Sequence, residues 1–327
     1  MNYDIESTDR AFWQEHESLP TYVLITPARN EAQFIELTLK SVVAQAVRPL
    51  KWIIVSDGST DGTDEIVEKY AADHRWIELV RMPERRERHF AGKVLAFNAG
   101  YDRIRDLHYD AIVCLDADIS VDEGYFAFLL SKLVKDSTLG LVGTPFEDSS
   151  NGIYDYRFVN IEHVSGACQV FRRQCFEDIG GYKPIKRGGV DHLAVITARM
   201  KGWKTRTFTE KVCLHHRSIG TQVRLGVTRN AVVAKFKAGE KDYAFGNHPI
   251  WEVGRMIYQS TKKPFVFGGM ALMTGYFWSA IRRAERPVSD EVVAFCRREQ
   301  IGRLRRFITG RWYYVPAARI ESTKSGA

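Results

Sequence analysis

The sequence of 327 residues has few cysteines and lacks the arrangements that hold a metal or a disulfide framework. Its five cysteines are odd in number, form no C-x-x-C pair and mostly stand in apolar runs. This pattern excludes a disulfide scaffold and a cysteine zinc site, and it favours the reducing cytosol. Residues 1–17 are polar and acidic, so we expect no secretory signal peptide.

Two common nucleotide-binding motifs are also missing. No G-x-G-x-x-G follows the first apolar run, which argues against a dinucleotide-binding dehydrogenase. The pair Gly92-Lys93 has Glu87 where a P-loop requires a glycine. We find no internal repeat and no low-complexity segment. With 45% hydrophobic and 27% charged residues, the length predicts one large domain or two closely packed ones.

Strand-like runs alternate with amphipathic segments in the first half of the chain. Runs rich in Val, Ile and Leu occupy residues 22–26, 51–56, 77–81 and 111–115. Apolar residues recur at helical spacing in residues 34–45, 63–70 and 94–105. This alternation predicts an α/β fold with a doubly wound, mostly parallel sheet and helices on both faces. Ligands of such sheets bind beyond the carboxyl ends of the strands.

Acidic residues follow two of these predicted strands. Asp57 ends the second strand, and Asp116 and Asp118 follow the strand at 111–115. In an extended chain residues i and i+2 point to the same side, so both carboxylates would face one site. Such oxygen ligands suit Mg²⁺ or Mn²⁺ that also binds phosphate. A turn or a helix cap would explain the same residues without a ligand.

Several motifs in order resemble family 2 glycosyltransferases with the GT-A fold. They are T-P-A-R-N-E at 26–31, S-D-G-S-T-D-G-T at 56–63, G-K-V-L-A-F-N-A-G at 92–100, D-A-D at 116–118, S-G-A at 165–167 and I-G-G-Y at 179–182. The resemblance covers roughly residues 20–220. It implies inverting transfer of one sugar from a nucleotide-sugar donor, which we expect to be UDP-linked, with Mn²⁺ or Mg²⁺ on the diphosphate. Enzymes of this kind serve bacterial surface-polysaccharide synthesis.

The resemblance also assigns roles to individual residues. Those that match the family's donor site are Pro27, Arg29, Glu31, Asp57, Lys93, Asp116 and Asp118. Asp118 would be the direct metal ligand, and Asp191 matches the catalytic base of the family's Glu-Asp pair. His215 ends the apolar run 212–214, where a histidine can complete the metal site in similar enzymes. An ordinary half-buried or surface histidine is an equally good interpretation of His215.

Two departures from the family pattern bear on the activity. Val190 stands where the family usually has the first acid of the Glu-Asp pair. This leaves open a non-catalytic sugar-nucleotide-binding subunit of a membrane assembly complex. The Q-x-x-R-W motif of processive synthases is missing, which favours a non-processive transferase. A sugar-nucleotide pyrophosphorylase lacks support, since no glycine-rich basic loop follows the first strand.

Residues 264–281 form an uncharged, mostly apolar stretch flanked by basic pairs, and arginines are frequent after it. A buried core helix, a membrane-interfacial helix and a membrane span remain open interpretations. We predict a GT-A domain at 1–220, with a donor half near 20–120 and an acceptor half near 121–220. A helical extension at 221–327 would contact an anionic membrane surface. We expect a cytoplasmic, peripheral enzyme on the inner membrane face, with a saccharide or polyprenol-linked acceptor and no nucleic acid partner.

Overall fold

The computed structural model describes residues 19–84, 91–148, 152–153, 161–185, 188–217, 227–262 and 264–309. The described residues fall into two compact units, 19–217 and 227–309. The sequence predictions for residues 1–17 lie outside the described ranges.

The described part of the first unit contains eleven strands and six helices. The strands are β1 Tyr22–Ala28, β2 Lys51–Asp57, β3 Ile77–Met82, β4 Ala111–Leu115, β5 Ile119–Ser120, β6 Leu139–Gly143, β7 Phe146–Asp148, β8 Gly152–Ile153, β9 Cys168–Arg172, β10 Lys204–Thr207 and β11 Cys213–His215. The helices are α1 Ile35–Val43, α2 Thr63–Asp73, α3 Ala91–Tyr101, α4 Tyr125–Lys135, α5 Arg173–Asp178 and α6 Val190–Met200.

Seven strands form the main sheet in the order β10-β6-β9-β4-β1-β2-β3. Only β9 among these seven runs antiparallel, and it lies between β4 and β6. A second sheet has the order β5-β11-β7-β8. The predicted α/β class with a mostly parallel sheet is therefore confirmed. Because β1, β2 and β4 are adjacent and parallel, their carboxyl ends meet at one edge of the sheet.

The main sheet is buried on both faces, which explains why its strands read as continuous apolar runs. Alternate side chains of β1 pack on opposite faces of the sheet. Leu24 packs in one cluster with α1 and α4, whereas Ile25 packs in another with α3 and α6. Trp52 of β2 is fully buried and donates its indole N–H to Thr26 Oγ1 at 3.0 Å. This double cover fixes the strand ends, and therefore the loops that follow them.

The described part of the second unit is helical. Its helices are α7 Val227–Ala244, α8 Pro249–Ser260, α9 Phe265–Ile281 and α10 Asp290–Ile308. Glycines allow α7 and α9 to touch backbone to backbone: an added Cβ would lie 1.9 Å from the Leu272 carbonyl oxygen at Gly239 and 2.0 Å from that of Phe236 at Gly275. At Gly269 the same atom would lie 2.1 Å from Ser260 Oγ of α8. One side of α9 is therefore closely packed.

A cluster of buried polar side chains lies among these helices. Asn247 donates to Glu252 Oε1 at 2.7 Å and accepts at Oδ1 from Gln300 at 2.8 Å. Arg255 pairs with Asp242 at 2.6 Å. Burial, followed by the nearby negative charge of Asp242, raises the pKa of Glu252 to about 7. These contacts join the chain between α7 and α8 to α10, so the unit has a specific polar centre.

The other side of α9 is exposed and apolar. The exposed side chains are Phe265, Val266, Phe267, Met270, Phe277, Trp278 and Ile281. Phe267 is 72% exposed, whereas Leu272 on the packed side is 1% exposed. The helix within 264–281 is therefore packed on one side and exposed on the other. Across the described ranges, no helix combines the length and the apolar character that crossing a membrane requires.

Candidate functional site

Four hydrogen bonds fasten the loop after β1 to the loop after β2. Asn30 N donates to Ser59 Oγ at 3.1 Å, and Thr60 N donates to Asn30 Oδ1 at 2.9 Å. Glu31 N donates to Thr63 Oγ1 at 2.8 Å, and Ala32 N donates to Asp61 Oδ2 at 3.1 Å. Asn30 has a φ of 55°, a conformation that asparagine tolerates better than most residues. The backbone of Glu31 is therefore held at the sheet edge.

Pro27, Arg29 and Asp57 occupy the carboxyl ends of β1 and β2. Pro27 is paired with Val55 in the parallel register, two residues before Asp57. Arg29 Nη1 lies 3.6 Å from the buried Asp57 Oδ2. The structure thus brings together these residues of the predicted donor site, at the position where an α/β sheet binds ligands.

Asp116 and Asp118 follow β4 in a turn that leads into β5. Asp116 N donates to the Ala167 carbonyl at 3.0 Å, and Thr38 Oγ1 of α1 donates to the Ala117 carbonyl at 2.8 Å. These bonds fix the backbone on the N-terminal side of Asp118. Asp118 itself is buried, with its side chain 10% exposed. The Asp-x-Asp pair is therefore a rigid feature of the sheet edge.

Strand β11 brings a distant part of the chain to Asp118. Its antiparallel pairing with β5 sets His215 opposite Ile119. The amide of His216 donates to the Asp118 carbonyl at 2.9 Å. His215 Nε2 lies 3.4 Å from Asp118 Oδ2, whereas the His216 ring bonds Ser120 Oγ at 2.9 Å. Of the two neighbouring histidines, His215 is the one that faces the carboxylate.

Arg217 also contacts this site, although it belongs to none of the motifs that marked the other site residues. Its Nε lies 3.2 Å from Asp118 Oδ2, and its Nη2 pairs with Glu31 Oε2. The guanidinium carbon lies 5.6 Å from the centre of the Phe34 ring. We call Glu31, Asp116 and Asp118 the carboxylate cluster. The sequence offered one signal for Arg217, its place two residues after His215.

The members of the carboxylate cluster differ in how firmly they hold a proton. Burial raises the pKa of Glu31 to about 7, and the negative charge of Asp118 adds to this effect. Burial also raises the pKa of Asp116. For Asp118, the hydrogen bond and charge of His215 and the charge of Arg217 outweigh burial and lower the pKa. Asp118 is therefore the member best suited to hold a cation as a carboxylate.

The donor atoms near Asp118 fit a divalent ion that also binds a substrate. Asp118 Oδ2 and His215 Nε2 are close enough to contact the same ion. Within the described ranges, no three His, Cys, Asp or Glu side chains could hold a metal by themselves. Mg²⁺ sites of nucleotide enzymes commonly use one or two carboxylates plus substrate phosphates. The residues therefore fit an ion whose remaining ligands come from a diphosphate and water.

Lys93, in α3, lies between the carboxylate cluster and Asp191. Its Nζ pairs with Asp116 and donates to the Gly166 carbonyl at 3.2 Å. Asp191 stands in the first turn of α6 and packs on Gly166, where an added Cβ would lie 2.9 Å from the Asp191 Cβ. Any side chain at Gly166 would therefore displace Asp191. The structure brings the predicted base to the same sheet edge as the predicted donor residues.

The fold is of the GT-A type, and comparisons with known structures agree. The mannosyltransferase PcManGT from Pyrobaculum calidifontis, in complex with GDP-Man and Mn²⁺, superposes with a TM-score of 0.54 at 18% identity, over 92% of this chain and 88% of that one. The structure of TarS residues 1–349 of Staphylococcus aureus, in complex with UDP, superposes with a TM-score of 0.52 at 13% identity. The superposition covers 90% of this chain and 93% of that one. At these identities the likeness is one of fold.

Residues 23–159 match the family model described as Glycosyl transferase family 2. The poly-beta-1,6-N-acetyl-D-glucosamine synthase of Staphylococcus aureus (strain COL) is 36% identical over 117 residues. That match spans 36% of this chain and 26% of the synthase, so the chain matches about a quarter of that relative's length. The matched residues are therefore similar to glycosyltransferases that include a polysaccharide synthase.

Proposed function

We propose that the chain is a metal-dependent, inverting, non-processive glycosyltransferase. It would move one sugar from a nucleotide-sugar donor to a hydroxyl group of a saccharide or lipid-linked acceptor. The observation that carries this proposal is the position of Lys93, which joins Asp116 to the Gly166 backbone on which Asp191 packs. One site thus offers carboxylates for a cation and a further carboxylate for a proton.

The donor half, near residues 20–120, would bind the nucleotide. Arg29 and Asp57 would contact the nucleoside, together with Pro27. Asp118 and His215 would hold the divalent ion, and Asp116 would lie near the ribose. When bound, the ion supplies a Lewis acid that stabilises the negative charge of the leaving diphosphate. Lys93 contributes a fixed positive charge on the same side of the site.

The acceptor half, near residues 121–220, would supply the base. An acceptor hydroxyl is a weak nucleophile, so a carboxylate that accepts its proton lowers the barrier. Asp191 suits this role since its side chain stands against Gly166, whose carbonyl accepts a hydrogen bond from Lys93. Asp191 lies in the first turn of α6, where a negative charge stabilises the helix N-terminus. Attack from the side opposite the leaving group inverts the anomeric centre.

Thermal unfolding with nucleotides tests the donor half. UDP and GDP are compared first, followed by dTDP and CDP, each with and without Mn²⁺. A nucleotide at a hundred times its dissociation constant adds about 2.7 kcal/mol of stability. We expect the unfolding midpoint to rise by about 5 °C with one nucleotide, and only in the presence of Mn²⁺. No shift with any of the four nucleotides would contradict the proposal.

We further propose that the enzyme works at the inner face of the membrane, on a polyprenol-linked acceptor. The support is the exposed apolar side of α9, with Arg282 directly after the helix and close to Trp278. Basic residues beside an apolar helix face favour an anionic lipid surface.

Sedimentation with lipid vesicles tests this location. Wild type should bind vesicles that contain phosphatidylglycerol, and Phe267→Glu should weaken binding about 10- to 100-fold, because the exposed ring that would enter the lipid is replaced by a charge. Val134→Glu is the matched control, since Val134 is an exposed apolar residue of α4. Equal binding of both variants, or no binding of wild type, would contradict membrane attachment through α9.

A further inference from the structure

Arg217 occupies the same carboxylate oxygen that the proposed metal site needs. Asp118 Oδ2 lies 3.4 Å from His215 Nε2 and 3.2 Å from Arg217 Nε. A divalent ion held by this oxygen and by His215 would therefore stand beside the guanidinium group. Two cations at such a distance repel each other strongly in a site of low solvent exposure. Arg217 and the ion are thus competitors for Asp118.

The position of Arg217 makes such a change of partner feasible. Arg217 is 31% exposed, whereas Asp118 is 10% exposed and its backbone is fixed by the His216 amide. Arginine also carries five N–H donors on a long side chain, so it can leave one acceptor for another. The guanidinium can therefore move while the carboxylate stays in place.

The incoming donor would offer Arg217 a better partner than the one it loses. A diphosphate carries several charged oxygens, and arginine binds such groups through paired hydrogen bonds. The diphosphate would arrive with the ion at Asp118, which is the place that Arg217 already contacts. Glu31, its second partner, lies at the same edge of the site.

We infer that Arg217 is an exchangeable counter-ion of this site: it neutralises Asp118 and Glu31 before the donor binds, and it contacts the donor's diphosphate afterwards. This inference rests on the proposed function, since it requires a nucleotide diphosphate. In this role Arg217 weakens binding of the ion alone and strengthens binding of the nucleotide with the ion. The site would therefore bind the metal ion weakly in the absence of the nucleotide and more tightly in its presence.

The test measures two affinities on the same proteins by titration calorimetry: that of Mn²⁺ alone, and that of UDP or GDP at saturating Mn²⁺. For Arg217→Gln we expect Mn²⁺ affinity to rise about 3- to 10-fold, because the competing charge is gone. We expect nucleotide affinity to fall about 10- to 100-fold, because charged hydrogen bonds to the diphosphate are lost. Arg217→Lys keeps the charge and should recover part of the nucleotide affinity.

Arg81 supplies a matched control. Its Nε lies 2.9 Å from Asp64 Oδ2 and its Nη2 pairs with Glu68, so one guanidinium again joins two carboxylates. This group lies between β3 and α2, apart from the carboxylate cluster. Arg81→Gln should leave both affinities unchanged.

The expected rise in Mn²⁺ affinity and fall in nucleotide affinity distinguish this role from a purely structural one. A loss of both affinities in Arg217→Gln and Arg217→Lys would indicate a distorted site and overturn the inference. Nucleotide affinity equal to that of wild type would overturn the inference alone and leave the proposed function standing. A wild type that binds Mn²⁺ but no nucleotide would overturn the proposed function, and the inference with it.

Discussion

Asp191→Asn should reduce kcat by about 10²- to 10⁴-fold, which is the usual contribution of a general base. Asparagine has nearly the same shape, so its contact with Gly166 should survive, but it cannot accept the proton of the acceptor hydroxyl. Affinity for the nucleotide with Mn²⁺ should change little, since Asp191 would serve the acceptor. Release of nucleoside diphosphate, measured with an acceptor that supports wild-type turnover, checks the first effect, and calorimetry checks the second.

Glu291→Gln is the control for Asp191→Asn. Glu291, like Asp191, is the second residue of a helix, here α10, and its charge stabilises the helix N-terminus by about 0.3–1 kcal/mol. Both variants should lose a similar amount of stability, but Glu291→Gln should keep full turnover. Full turnover of Asp191→Asn would instead mean that Asp191 merely stabilises α6. A wild type that binds nucleotide and turns over no acceptor would favour the non-catalytic alternative that Val190 leaves open.

Asp118→Asn should reduce turnover by about 10³-fold and abolish the Mn²⁺ dependence of nucleotide binding. The amide carries no charge, so it is a poor ligand for a divalent ion, and several kcal/mol of charge stabilisation would be lost. The neutral side chain can still accept the hydrogen bond from Arg217, so the fold should be retained. Electron paramagnetic resonance of free Mn²⁺, titrated with protein, measures the loss of binding directly.

Asp122→Asn provides the comparison for Asp118→Asn. Asp122 follows β5 and pairs with Lys211 on the surface, where its side chain is 49% exposed. Its loss should leave Mn²⁺ binding intact and cost little stability, because exposed ion pairs contribute at most about 1 kcal/mol. Mn²⁺ affinity retained in Asp118→Asn would move the metal site elsewhere.

Most of the main sheet could be predicted, because β1, β2 and β4 are covered on both faces and read as apolar runs. The antiparallel direction of β9 could not, since a periodic pattern carries no information on strand direction. The second sheet was missed because its strands have only two or three residues, too few for a periodic signal.

The site residues that could be predicted from the sequence are those that stand in recurring motifs. Asp116, Asp118 and Lys93 were found in this way, and their roles remain predictions. The approach of His215 to Asp118 depends on the pairing of β11 with β5, which are far apart in sequence. Arg217 could not be predicted for the same reason, since its partners Glu31 and Asp118 are far from it in sequence and meet it only in the fold.

The glycines of α9 determine more than how closely the helices approach. Since Gly269 and Gly275 must face α8 and α7, no other side of α9 can turn inward without a clash of backbone atoms. The helix is unable to roll about its axis and hide Phe267 or Ile281. We therefore expect this apolar side of α9 to stay exposed when nothing covers it, and self-association during purification is the practical sign to watch for.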